Sequence, residues 1–179
     1  MTTKRTKSSF RAMSTKRQLE SVFLFVTGRC NAKCAMCFYA GEMDKKEKDL
    51  TFDEIRKVSE TAGEFNRLWI SGGEPTLRED LPEIIEMFYR NNHVKDVNIP
   101  TNGLRPDLIV EWIARLRKSC PETNFNVSLS LDGFGKTHDI QRGVPGNFYK
   151  GLETLKKIDE HFRDDGKVLK NVATVITKY

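Results

Sequence analysis

Cys30-Asn31-Ala32-Lys33-Cys34-Ala35-Met36-Cys37 sets three thiols within eight residues, directly after the apolar run Val22 to Val26. Thiols so close together in a reduced protein are most simply read as metal ligands. A closed structural zinc site or an all-cysteine cluster takes four protein ligands. Three leave one metal position open, and an open position is where chemistry happens. Two other readings fit the same residues. Zinc could recruit a distant fourth ligand, such as Cys120 or a histidine. A disulfide with a spare thiol would need an oxidising compartment, which nothing in the sequence indicates.

Outward from the cysteines, strand and helix alternate. Ser21 to Thr27 reads as a strand buried on both faces, because it is a continuous β-prone run. An irregular stretch from Gly28 to Leu50 carries the cysteines and ends in the polar run Asp44 to Asp49; loops this long in compact domains usually carry function. Thr51-x-x-Glu54 is a capping-box pattern opening a helix with Ile55, Val58 and Ala62 on one face. Arg67 to Ser71 is a second strand, running into Gly72-Gly73-Glu74-Pro75. Asp80 can cap the next helix, with Pro82 in its first turn and Ile84, Ile85, Phe88 and Tyr89 inward. Val94 to Pro100 is a third strand, followed by Thr101-Asn102-Gly103 and an amphipathic helix over Pro106 to Lys118. Phe125 to Leu131 is a fourth strand, ending at Asp132-Gly133. Lys136 to Gly146 reads as irregular with at most one helical turn, Asn147 to Phe162 as a helix, and Val168 to Thr177 as a fifth strand.

Such alternation is the pattern of a parallel sheet with right-handed crossovers, which leaves an open doubly wound sheet or a barrel. Each polar or glycine-rich motif follows the C-terminal end of a successive strand: the cysteines, GGEP, TNG, then DG. Unusual residues at every strand end suit a barrel, whose strand ends share one mouth. Within the fourth strand, alternation puts Ser128, Ser130 and Asp132 on one face and Val127, Leu129 and Leu131 on the other. A row of serines is odd for a pure core and natural beside a polar ligand.

Composition narrows the function classes. The chain's 179 residues fit one domain with a real core. No apolar run approaches the ~18 residues of a membrane span. The net charge of +5 is misleading. Residues 1–19 hold Lys4, Arg5, Lys7, Arg11, Lys16 and Arg17 and no acid; taking those six from the 30 basic residues leaves 24 against 25 acidic ones. The basic character is therefore a tail, read as a disordered arm, and not a nucleic-acid-binding face. The tail lacks the apolar core of a secretory signal, although its Ser, Thr, Lys and Arg content loosely suits an organellar transit peptide. The expected compartment is the cytoplasm.

With these motifs in place, C-x3-C-x2-C, GGEP, TNG and the SLDG…HDxxRG run over Ser130 to Gly143, the chain resembles the radical S-adenosylmethionine (SAM) superfamily. The resemblance implies an α/β fold, a partial (β/α) barrel of parallel strands with about five of the family's six strand-helix units present. The expected domains are the basic arm 1–19 and a core over 20–179 that is incomplete at its C-terminus, the chain being a fragment of a longer one. It implies a [4Fe-4S] cluster on Cys30, Cys34 and Cys37, with SAM chelating the fourth iron. Gly72, Gly73 and Glu74 would receive the SAM amino group, Arg142 its carboxylate, and Asn102, Ser130 and Asp132 its polar parts, including the ribose. Tyr39 and Phe38 would lie near adenine, with Val175 and Thr177 as further contacts by analogy. Met36 stands where the family often has an aromatic residue. His138 is a minor acid/base candidate. Cys120 reads as a structural thiol, and His93 and His161 as surface residues. The implied activity is reductive cleavage of SAM to a 5′-deoxyadenosyl radical that abstracts hydrogen from a small-molecule or peptide substrate, with ferredoxin or flavodoxin as electron donor and no membrane partner. A rival of another class is a zinc-stabilised binding module with a basic RNA-contacting arm. It accounts for the cysteines and tail but not for the motifs at successive strand ends.

Overall fold

The computed structural model describes residues 19–41 and 49–176. The basic arm and Thr177 lie outside the described residues, as does most of the polar run that ends at Asp49. Five strands, β1 (Ser21–Thr27), β2 (Arg67–Gly72), β3 (Asp96–Thr101), β4 (Asn124–Ser130) and β5 (Val168–Ala173), form one sheet in the order β1-β2-β3-β4-β5. Every neighbouring pair is parallel. Strand order that never reverses is that of a barrel wall; a doubly wound sheet reverses at its switch point. Crossovers run through α1 (Phe52–Ala62), α2 (Leu81–Asn92), α3 (Pro106–Ser119), and the pair α4 (Lys136–Arg142) and α5 (Asn147–Phe162). Among the described residues no helix is long and apolar enough to cross a membrane.

The register explains where the core lies. Val22, Leu68, Val97, Phe125 and Val168 are cross-strand neighbours and form an apolar row. They pack with Ile84, Phe88, Ile109, Ile113 and Ile158 of the helices. Each fully buried side chain of this kind contributes about 1.5–3 kcal/mol relative to exposure. The next row, Phe23, Trp69, Asn98, Asn126 and Leu169, points to the opposite face. That face is open and mixes polar with apolar side chains. Asn126 donates to Asn98 at 2.9 Å, Phe23 stacks on Trp69 at 5.6 Å, and a cleft of about 410 Å³ runs along it.

This geometry corrects the expectation that β1 is buried on both faces. Phe23 is 66% and Phe25 46% exposed, because both point to the open face of an edge strand. The Thr51–Glu54 capping box is present as the sequence predicts, but Val58 is exposed and Ser59 takes the buried place on that helix. Asp80 precedes α2 without capping it. Its carboxylate is held instead by the Arg78 guanidinium, at 2.8 and 3.1 Å. Residues 136–142 form a seven-residue helix, longer than the single turn expected within an irregular stretch.

Candidate functional site

At the C-terminal ends of the strands a cleft of about 270 Å³ is walled by residues from the ends of all five. The cysteine loop contributes Cys30, Cys34, Met36, Cys37 and Phe38; the β2 loop adds Gly72, Gly73, Glu74 and Pro75. Asn102 comes from the β3 loop, Ser130 from β4, Arg142 from α4, and Val175 from the chain after β5.

The cysteine loop is anchored on both flanks. On one side the amides of Gly73 and Glu74 donate to the carbonyls of Thr27 and Arg29, at 2.7 and 2.9 Å. On the other, Lys33 and Ala35 donate to the carbonyls of Arg142 and Gln141, at 3.0 and 2.9 Å. Gly143 makes the second approach feasible: it has φ +65°, and a Cβ there would lie 2.7 Å from the Lys33 carbonyl oxygen. A turn closed by Cys37 N–H on the Cys34 carbonyl, at 3.1 Å, links the last two cysteines, and all three line the cleft. All three thiols are half-buried and free of disulfides. Burial is the main cause that pushes the Cys30 thiol pKa up, with further contributions from Glu74, Cys34 and Cys37. Among the described residues no three metal-ligating side chains are already drawn together; the thiols share a cleft wall. Three soft donors around one cleft, with an arginine beside them, fit an iron-sulfur group with an open position.

Glu74 is buried and knits two loops together. Oε1 accepts from the Thr76 amide and from the hydroxyls of Thr76 and Thr101, and Oε2 accepts from the Asn102 amide at 2.8 Å. Burial pushes its pKa up while these donors pull it down. Each oxygen faces a backbone amide, which can only donate, and the two threonine hydroxyls can turn their hydrogens to Oε1 as well, so the pocket is built around an acceptor; burial is nonetheless the largest influence and leaves the pKa raised. Oε2 keeps acceptor capacity toward the cleft. Asn102 also donates to Asn31 Oδ1 at 2.7 Å, tying the β3 loop to the cysteine loop.

Arg142 reaches Cys34, its Nη1 3.6 Å from Sγ. Its Nε lies 2.5 Å from Asp132 Oδ2. The two groups are an ion pair without an aligned hydrogen bond. Asp132 Oδ1 accepts from the Val175 amide at 2.8 Å, so this carboxylate also fixes the chain beyond β5. The Asp132 side chain is fully buried behind Arg142. The sequence reading gives Asp132 a direct cofactor contact; here its side chain is buried and is paired with Arg142. Tyr39 likewise stands back from the cleft, with its ring against Phe25 at 5.7 Å. Phe38, 89% exposed, is the ring at the wall.

His138, expected near the mouth as an acid/base group, is fully buried. Asn147, which reasoning from sequence missed, is its partner and is also fully buried. Only its place beside Gly146 at a helix start marked it, and a polar residue at a helix start ordinarily reads as a cap. Cys120 is buried in the core, as read from the sequence, and His93 and His161 are exposed.

Comparison with known proteins identifies the family and the fold. A family model described as the radical SAM superfamily matches residues 24–177. A probable GTP 3′,8-cyclase of Methanococcus maripaludis is 34% identical over 151 residues, 78% of this chain and 49% of the relative. The GTP 3′,8-cyclase of Mannheimia succiniciproducens is 32% identical over 158 residues, covering 79% and 44%. The chain thus spans about half the length of the curated relatives it matches. Among solved structures, native anSMEcpe with bound AdoMet aligns with TM-score 0.62 and 25% identity, over 86% of this chain and 43% of the other. Streptococcus suis SuiB bound to S-adenosylmethionine aligns with TM-score 0.63 and 22% identity, over 90% and 35%.

Proposed function

This chain belongs to the radical SAM superfamily, and from that premise we propose that it is the partial barrel of a radical SAM enzyme. The observation that carries the reading is the convergence of three half-buried thiols, the GGEP turn and Arg142 on one cleft. Cys30, Cys34 and Cys37 would hold a [4Fe-4S] cluster, leaving one iron for SAM. When bound, the cluster and SAM together supply a 5′-deoxyadenosyl radical that removes a hydrogen atom from the substrate.

The chain's own residues bind and orient. The Gly72–Gly73 backbone and Oε2 of Glu74 offer acceptors to the SAM ammonium. Arg142, already aimed at the cluster cysteines by Asp132, offers its guanidinium to the SAM carboxylate. Asn102 and Ser130 serve the ribose side of the cleft, while Phe38 and Val175 form apolar walls for adenine. Tyr39 backs Phe38, with ring centroids 6.4 Å apart.

The substrate reading is a small molecule ahead of a peptide. It is supported by relatives at 32% and 34% identity that carry GTP 3′,8-cyclase names. The peptide-bound neighbours share only 23% and 22%. Electron delivery by a ferredoxin or flavodoxin in the cytoplasm completes the proposal.

Replacing Cys30, Cys34 or Cys37 by Ala one at a time should abolish reductive formation of 5′-deoxyadenosine by anaerobically reconstituted protein, whereas Cys120→Ala should retain it. Wild-type-like cleavage by any of the first three would refute the assignment. Tightly bound zinc in place of iron would favour the binding-module rival.

A further inference from the structure

His138 sits between the loop after β4 and the start of α5. Its Nδ1 accepts the Asp132 amide at 3.0 Å. Its Nε2 is 3.2 Å from Asn147 Oδ1, and Asn147 Nδ2 donates to the Asn102 carbonyl at 2.7 Å. The proton positions follow from the partners. A backbone amide can only donate, so Nδ1 is unprotonated. A backbone carbonyl can only accept, so Asn147 turns its NH₂ to Asn102 and its oxygen to His138. Nε2 must therefore carry the hydrogen. Two independent contacts select the same neutral tautomer. A second proton, on Nδ1, would set two donors face to face where His138 has no exposed surface. Burial pushes the imidazole pKa down, in the same sense.

We propose that His138 is a positioning residue of the cofactor cleft, a neutral imidazole that holds Asp132, and through Asp132 the guanidinium of Arg142, against the cysteine loop. The chain of contacts is continuous. His138 fixes the Asp132 backbone, the Asp132 carboxylate meets Arg142 Nε at 2.5 Å, and Arg142 Nη1 lies 3.6 Å from Cys34 Sγ. On its other side His138 ties α5 and the Asn102 loop into the same unit through Asn147. The role is mechanical: both ring nitrogens are committed to neighbours, so the ring has no face for substrate and no proton to exchange. The inference rests on the reading of the cleft as a SAM site.

Three variants separate the two nitrogens. In His138→Asn the amide oxygen can replace Nδ1 and keep the Asp132 contact. In His138→Gln the amide nitrogen replaces Nε2 and keeps only Asn147. His138→Phe keeps neither. Iron content, SAM affinity from the spectral change of the reduced cluster, and thermal melts are measured on reconstituted protein. SAM affinity should stay within about threefold in His138→Asn and fall about tenfold or more in His138→Gln and His138→Phe, the scale typical of an outer-shell partner. Equal SAM affinity in all three variants would overturn the proposal, as would a large loss in His138→Asn at full iron content. If His138→Phe also loses iron, His138→Asn decides, because it should keep both. A second readout does not depend on the cofactor. The ¹⁵N chemical shifts of His138 in wild-type protein should show one pyrrole-type nitrogen, Nε2, and one pyridine-type nitrogen, Nδ1. The opposite tautomer or an imidazolium would overturn the proposal. Failure of the SAM-site reading would look different, since wild-type protein would then ignore SAM while the tautomer stayed as described.

Discussion

Gly73 shows how closely the cysteine loop is fitted. A Cβ at this position would lie 2.0 Å from the Arg29 carbonyl oxygen, and one at Gly72, where φ is +109°, 2.4 Å from that of Thr27. Both contacts are with backbone, which cannot swing aside as a side chain can. Gly73→Ala should therefore push the loop bearing Cys30 off the β2 turn. The expected result is a stability loss of about 1–3 kcal/mol by thermal or denaturant unfolding, together with reduced iron incorporation per chain. An Ala variant with wild-type iron content and melting would show that the loop is not seated by this contact. The place of these glycines at a strand end was legible in the sequence. What they approach was not, because the partners, Thr27 and Arg29, belong to another strand's end. The same limit applies to Asp132 and Arg142. Each was legible as a polar residue at the mouth, but that the two pair with each other, with Asp132 buried and Arg142 against Cys34, depends on packing.

Among elements, the α4–α5 pair matters most to the site, because it carries Arg142, His138 and Asn147. Gly146 at the start of α5 has no side chain with which to cap it. Asp139 caps it from α4 instead, accepting from the amides of Gly146 and Phe148 at 2.7 and 2.9 Å. Those two amides, Phe148 first, hold the Asp139 pKa below the ordinary aspartate range. The sign follows: the stabilisation is present above the unfolded aspartate pKa and is lost as pH falls through the depressed folded value. Asp139→Asn should thus lower the melting temperature by a few degrees near neutrality, and the gap from wild type should close in acid. A gap that persists unchanged when Asp139 is protonated would contradict the capping role. The sequence did not disclose α4 as a helix. It is seven residues long and buries only His138, so it carries no apolar periodicity. The longer helices, with several buried apolar positions each, were legible from that periodicity. Edge strand β1 misled for the opposite reason: its apolar run is continuous, but its second face opens on the interior of an incomplete barrel.

For the whole molecule, the sequential order of five parallel strands brings all the motif-bearing loops to one end. Alternation of strand and helix, with a motif at each strand end, was enough to read the fold and the thiol-bearing mouth. The buried network beneath that mouth, running Glu74–Asn102–Asn147–His138–Asp132–Arg142, was not, because Glu74 and Asn102 lie far in the chain from the segment 132–147 that holds the other members, and each member is individually an ordinary polar residue. Convergence of the loops has a consequence for the whole chain: cluster and SAM should be held as one unit. The measurement that tests this most directly is the EPR spectrum of anaerobically reconstituted, reduced protein with and without SAM. The account predicts a [4Fe-4S]⁺ signal that changes shape when SAM is added, because one iron is open and the cleft beside it takes the cofactor. A cluster signal indifferent to SAM, or tightly bound zinc with no cluster, would contradict it.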